Sequence, residues 1–349
     1  MTMWGIHNDA IGDELVSGGF VSLGWEEMPD LRTIGDDRER MKAELMRRYP
    51  GAKPGAIPVW AGILLRFAFT MREGDLVVAP DKATSTLNFG RVVGPYEFSA
   101  LARRHPHRRR VEWLKTNVPR GLFPQSALHE IGSALTLFQV KRHEQIFAAF
   151  LDAPTEDAFL ISPLSHESDP TRVTPELDDE TSPEAVELPD AEAIEQSTSD
   201  FIIRTLLEDV SDREFEFFTA DLLTAMGYVA RTTRAGADGG IDVVAHRDVL
   251  GLEPPLIKVQ CKHRAGTAGR PEVQQLLGVL APKDEHGLFV TLGTYSREAR
   301  DVERERQNLR LLDGPDVARL VVAHYPALPL AWRDRLPLRQ VYVVERRDL

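Results

Sequence analysis

Ala237-Asp238-Gly239-Gly240-Ile241-Asp242-Val243-Val244 is the stretch on which the reading of this chain turns. Glycines end a loop, and a carboxylate stands at the head of an apolar strand. Burying that carboxylate without a partner such as a metal ion is costly. Downstream, Ile257-Lys258-Val259-Gln260-Cys261-Lys262 alternates, so that Ile257, Val259 and Cys261 share one strand face and Lys258, Gln260 and Lys262 the other. Gln260 and Lys262 therefore point together, and Cys261 among aliphatic neighbours reads as a small packed hydrophobe rather than a nucleophile.

Working outward, a helix is expected over Arg213–Met226. Ser211 with Glu214 has capping-box spacing, Gly227 closes the helix, and Phe215, Phe218 and Leu222 form one stripe. Glu216 lies off that stripe, where it either meets a neighbouring site or is an ordinary solvated glutamate. Strands are expected around Ile241–Ala245, Leu256–Lys262 and Leu288–Thr291, helices over Pro271–Leu280 and Arg297–Asn308, then a last strand. The order implies an α/β domain around a mixed sheet. Phosphodiester hydrolysis needs a divalent ion and a cation or base near the attacking oxygen. Asp242 with Glu216 satisfies the ligand count for Mg²⁺ (or Mn²⁺), and Lys262 supplies the cation. Asp238 is either an auxiliary ligand or turn chemistry. Arg297, Arg300, Arg304 and Arg306 alternate with acids and read as a solvated, ion-paired helix. The basic loop from Lys262 through Arg264 to Arg270 reads as a phosphate contact whose glycines permit close backbone approach.

Residues from about Ser211 to Leu320 resemble the catalytic domain of Mrr-type restriction endonucleases, within the PD-(D/E)xK nuclease fold. The resemblance is carried by EFEFFTADLLTAMGY, ADGGIDVVA, VQCK, VQQLLGVL, GLFVTLGTYSREA and LLDG. It implies metal binding at Asp242, completion of the site by Gln260 and Lys262, and assistance from Glu216, giving Asp242, Glu216 and Gln260 as metal-side residues. Most enzymes of this fold carry a carboxylate where Gln260 stands, and Mrr-type members share the glutamine.

The first half is expected to be a compact α+β domain, as a small barrel or otherwise. It has strands at Gly19–Leu23, Asp75–Val78, Gly90–Val93 and Thr136–Val140, and helices over Asp36–Tyr49 and Ile57–Met71. Four of the five tryptophans lie there: Trp4, Trp25, Trp60 and Trp113. Each is core, or part of a stacking cage for a flipped base or nucleotide. Five arginines fall within positions 103–110, as a phosphate clamp or as a charged loop before a strand at Val111–Leu114. Through FVSLGW, VWAGILLRFAF, GDLVVAP, GRVVGPYEF and RRVEWL, residues 3–140 resemble, more weakly, the EVE-like modules of the PUA-like superfamily, which implies recognition of modified bases. Trp25, Trp60 and Asn88 are the pocket residues chosen, with Arg108, Arg109, Lys258, Arg264 and Arg270 as DNA contacts.

Net charge is −12, but residues 152–200 hold 15 acids and one arginine, so the rest sums to +2. That segment, with six prolines, reads as a flexible linker between a recognition domain (1–151) and a nuclease domain (201–349), with a packed ribbon near Phe159-Leu160-Ile161 as the alternative. A DNA-mimicking, inhibitory role for the acidic stretch is a further expectation. One cysteine excludes an internal disulfide, and the absence of a signal-like start or a long apolar run places the chain in the cytoplasm and off the membrane. The leading expectation is an endonuclease that recognises modified double-stranded DNA, self-associates on it and restricts foreign DNA. A nucleotide-activated nonspecific nuclease and a DNA-binding protein with a lapsed nuclease are the alternatives.

Overall fold

The computed structural model describes residues 1–8, 12–53, 55–82, 84–132, 135–162, 191–233, 240–248, 253–281 and 284–342. They form two compact units that part between residues 193 and 194. No helix among the described residues is long and apolar enough to cross a membrane.

The first unit runs β1 (Met3–Ile6), α1 (Gly12–Gly18), β2 (Phe20–Leu23), α2 (Arg38–Arg48), α3 (Ala56–Leu65), β3 (Leu76–Asp81), β4 (Thr86–Phe98), β5 (His107–Pro119), α4 (Gln125–Ile131), β6 (Leu137–Gln139), α5 (Glu144–Asp152) and α6 (Glu156–Leu160). Its sheet has the order β2-β5-β4-β3-β1-β6, open at β2 and β6, with only β1 and β3 parallel. The alternation of β1 and β3 sends Trp4, Ile6, Val77 and Ala79 to one face, against α2 and α3 residues such as Met41, Leu45 and Ile63. The other face carries Phe89, whose ring meets Phe123, Phe147 and Phe150 at 5.4–5.8 Å. Each fully buried Phe contributes about 1.5–3 kcal/mol.

Two expectations change here. The arginine run is not a loop: β5 begins at His107, so three of the five arginines are strand residues. The connector is also shorter than 152–200. Thr155 caps α6, accepting from Ala158 N at 3.1 Å, and Phe159, 1% exposed, packs on Phe123 and Phe150. At the far end α7 (Ala191–Glu208) is helical. Residues 163–190 lie outside the described residues.

The second unit continues with α8 (Asp212–Ala225), β7 (Val229–Thr232), β8 (Val243–His246), β9 (Leu256–Lys262), α9 (Arg270–Gly278), β10 (Glu285–Thr291), α10 (Arg297–Glu305), β11 (Leu309–Leu312), α11 (Gly314–His324) and α12 (Leu330–Arg335). The sheet order β11-β10-β9-β8-β7 is antiparallel from β7 to β9 and parallel from β9 to β11. Phe215, Phe218, Leu222, Ile202, Leu206, Val317 and Val321 cover one face together with Val243, Val259, Leu288 and Val290. Val273, Leu276, Ala299 and Val302 cover the other with Phe289. The mixed sheet flanked by helices expected from the sequence is present, and β9 lies at its centre.

Candidate active site

Two segments converge at β9. The chain enters β8 through Ile241 and Asp242, with Asp242 N donating to Val259 O at 2.8 Å. That bond extends the β8–β9 ladder by one residue and turns the Asp242 side chain back toward β9, where Oδ2 accepts the Cys261 backbone N–H at 2.7 Å. Thr233, at the end of β7, secures the same segment: its N donates to Asp242 O at 2.9 Å and its Oγ1 to Ile241 O at 2.6 Å. Asp242 is thus a carboxylate on a backbone fixed from both sides.

The capping box of α8 forms as expected. Ser211 Oγ accepts from Glu214 N, and Glu214 accepts from Ser211 N at 3.0 Å. This start fixes the helix phase: Phe215 and Phe218 go into the core, and Glu216 projects beside Asp242. Asp212, Glu216, Gly240, Asp242, Gln260, Cys261, Lys262, His263 and Arg264 line one cavity of about 380 Å³. Burial pushes the Asp242 carboxyl up, against the Cys261 N–H and the Lys262 charge, which pull it down. Burial and then the Asp242 charge likewise push Glu216 up, against its ion pair with Arg213. Two half-buried carboxylates, one of them raised by the charge of the other, make a site short of positive charge.

Gln260 is only 4% exposed, and a Cβ on Gly240 would meet its Nε2 at 3.4 Å. Gly240 adopts φ +91°, the left-handed region that favours glycine. Cys261 packs with the aliphatic core below, and burial pushes its thiol up, which disfavours the thiolate. Among the described residues no three His, Cys, Asp or Glu side chains converge on one point. A divalent ion here would therefore take two carboxylates and the Gln260 amide, with water or phosphate oxygens in its other positions. That donor set suits a hard cation. Asp238 lies outside the described residues.

His263, which lines the cavity, and Arg213, beside it, have roles that the sequence reading did not assign. His263 continues the alternation past Lys262; its Nδ1 lies 3.0 Å from Asp212 Oδ1 and its Nε2 2.7 Å from Leu206 O, tying β9 to α7 and α8. Both partners are acceptors, so both bonds are made together only when the ring carries two protons. Arg213 pairs with Glu216 and donates to Thr233 O at 3.0 Å, linking the helix that carries one acid to the strand that braces the other. The spacing of Arg213 and Glu216, three apart on a helix, was the available signal.

Several expected DNA contacts are engaged within the fold. Lys258 pairs with Glu285 at 2.8 Å and donates to Val279 O. Arg264 lines the cavity, but its Nη2 pairs with Glu272 at 2.6 Å. The close backbone approach of the 262–270 loop is to the protein itself: a Cβ on Gly293 would lie 2.0 Å from Gly266 O, and Ala268 N bonds Thr294 O at 2.8 Å. Arg270 is exposed at the first position of α9. Arg300 is no solvated residue either; it stacks on Tyr295 and joins Glu303 to Asp313.

In the first unit, Trp25 and Trp60 do come together, edge to face at 5.9 Å, and Tyr49 meets Trp60 at 5.7 Å. Asn88 does not join them. It is buried at the other end of β4, and its Oδ1 accepts from Asn117 N at 3.0 Å, holding a bulge at a residue with φ +55°. Arg109 is a correction as well: only 4% exposed, it donates to Phe67 O, Ala68 O and Gly94 O at 2.7, 2.9 and 3.2 Å. Arg108 lies over the Phe20 ring at 4.2 Å.

The second unit is thus a helix-flanked mixed sheet whose central strand carries Gln260 and Lys262 beside an acid entering the next strand, the arrangement expected from the resemblance to restriction endonucleases. Residues 207–321 match a family described as a restriction endonuclease, the Mrr catalytic domain, and residues 1–131 match a family described only as a domain of unknown function. Over 135 residues the chain is 35% identical to the type IV methyl-directed restriction enzyme EcoKMrr of Escherichia coli K12. The match covers 37% of this chain and 43% of that relative, so the chain spans less than half of the curated relative's length. Two solved structures share low overall likeness. AspBHI, a DNA modification-dependent restriction endonuclease, has 18% identity and TM-score 0.32, over 80% of this chain and 71% of its own. MspJI with a 27-mer oligonucleotide has 14% identity and TM-score 0.31, over 78% and 66%. At these scores neither carries an argument.

Proposed function

We propose that the chain is a divalent-cation-dependent endonuclease that hydrolyses phosphodiester bonds in modified double-stranded DNA and so restricts foreign DNA. The observation that carries this reading is the cavity in which Asp242, Glu216, Gln260 and Lys262 meet within the segment that matches restriction endonucleases. The methyl-directed relative supports modification as the feature recognised. Asp242, Glu216 and the Gln260 amide would hold Mg²⁺ or Mn²⁺. When bound, the ion supplies charge neutralisation at phosphate and an acidified water. Asp242 holds its carboxylate on a strand end fixed by its bonds to Val259 and Thr233. Lys262 places an ammonium beside Asp242, where negative charge gathers on the phosphate as the bond to the leaving oxygen breaks. Gln260 adds a dipole without adding charge.

The aromatic cluster of the first unit supports assigning base recognition to residues 1–151, and the acidic stretch remains the proposed tether. Breaking both strands requires two such sites, which supports self-association on DNA. The test is cleavage of matched plasmids, unmodified or carrying methylated or hydroxymethylated cytosine, by the wild type, Asp242→Ala and Lys262→Ala in Mg²⁺. Selective cutting of a modified plasmid, absent in both variants, is the expected result. Equal cutting of all plasmids would reject the modification requirement, and cutting by Asp242→Ala would reject the site.

A further inference from the structure

The five arginines at 103–110 are not equivalent once folded. Arg109 is buried on three carbonyls. Arg110 pairs with Glu97 at 3.4 Å. Arg108 lies over Phe20 and donates to His105 O at 3.1 Å. Arg103 and Arg104 remain exposed, in the connection Ser99–Pro106 between β4 and β5. In the same connection Leu101 is 97% exposed. No Asp or Glu occurs from residue 99 through 110.

The base of this connection is firmly held. Ser99 N donates to Pro106 O at 2.7 Å and Ala102 N to Ser99 O at 3.0 Å. His105 N donates to Glu26 Oε1 at 3.1 Å, His105 Nδ1 meets Ser22 Oγ at 3.1 Å, and His107 Nε2 donates to Trp25 O at 3.3 Å. Trp25 and His105 both take left-handed backbone, φ +56° and +52°, which costs on the order of 1 kcal/mol each. These contacts hold them there. The connection and the Trp25–Trp60–Tyr49 cluster are therefore braced against each other.

We propose that this connection is a finger that engages duplex DNA, with Arg103 and Arg104 on backbone phosphates and Leu101 as an apolar wedge at a base step opened beside the aromatic cluster. The inference rests on the reading that the first unit binds DNA, and adds which residues touch the duplex and how. A leucine so exposed loses hydration favourably only against an apolar partner, and the face of an unstacked base is one. Flanking guanidinium groups suit the phosphates on either side of such a step. Because the base is already ordered, binding need not order it.

The experiment measures binding of the full-length protein in EDTA, so that no strand is cut. It uses modified, unmodified and single-stranded oligonucleotides carrying 2-aminopurine next to the modified position. Arg103→Gln with Arg104→Gln is expected to weaken duplex binding on the order of tenfold and to reduce the dependence of log Kd on log salt by about 2. Leu101→Ser is expected to leave that dependence unchanged and to abolish the 2-aminopurine fluorescence rise seen with the wild type. All three residues are exposed, so thermal midpoints should match the wild type. If the wild type binds the modified duplex and both variants match it in affinity, salt dependence and fluorescence, the finger is wrong and DNA recognition by the first unit stands. If the wild type binds no duplex, or prefers the single strand, both ideas fall.

Discussion

Oδ2 of Asp242 accepts the backbone N–H of Cys261 at 2.7 Å, so the proposed catalytic acid is fastened to the same strand that carries Gln260 and Lys262. Asp242→Asn keeps an acceptor oxygen for that N–H and removes a charge that burial disfavours. The variant should therefore melt no lower than the wild type while its cleavage falls by at least about a hundredfold. A variant that melted well below the wild type would show that the carboxylate supports the fold.

Gly240→Ala tests the approach to that strand. Its φ of +91° costs an L-residue roughly 1–2 kcal/mol, and the new methyl would sit 3.4 Å from Gln260 Nε2. Cleavage should drop together with a modest fall in thermal midpoint. Unchanged values for both would mean that the backbone here relaxes freely.

Arg109→Ala separates structural from DNA-binding arginines. It strips the donors from three buried carbonyls, and each unsatisfied buried group costs about 1–3 kcal/mol. The first unit should unfold at markedly lower denaturant concentration, with the salt dependence of DNA binding in the surviving folded fraction unaltered. A change in that dependence without loss of stability would return Arg109 to the DNA contacts.

Asp313 caps α11, accepting from Asp316 N at 3.0 Å, and faces Arg300 and Asp316, with Glu303 and Tyr295 also against Arg300. Burial, then the Asp316 charge, push its carboxyl from 3.8 up to about 6, against the Asp316 N–H and Arg300. Between those values the folded chain keeps a proton that the unfolded chain has lost. Its contribution to stability is thus present below 3.8, declines as pH rises and is gone above about 6. Asp313→Asn retains the capping oxygen and cannot ionise. Melting curves should show the variant gaining on the wild type between pH 3.8 and about 6, and a constant difference across that range would refute the assignment.

The second unit was legible because its signals are local. Alternation over Ile257–Lys262, the Ser211–Glu214 box and the Phe215–Phe218–Leu222 stripe each fix one element and one face, and together they bring Asp242 and Lys262 to one place. What escaped depends on partners distant in sequence. Glu285 for Lys258, Glu272 for Arg264 and the Phe67 carbonyl for Arg109 cannot be inferred from the arginine or lysine alone. Composition also misled: the acids of residues 152–200 hid the stripe Ile202, Ile203, Leu206 and Val210 that follows, and so hid α7. Trp25 and Trp60 meet in the fold, whereas Asn88 was chosen by residue type and serves a bulge.

The placement of the site on β9 carries a consequence for how such a protein could be restrained. β9 is hydrogen-bonded on both edges and packs Ile257, Val259 and Cys261 into the core on one face, a position from which amide hydrogens are expected to exchange slowly. Lys262 and the N–H that holds Asp242 belong to that central strand. Restraint by melting the centre is closed to this architecture, because it would unfold the unit. Under the proposed function, control would act at the rim, on whether a DNA strand reaches a site that is already assembled.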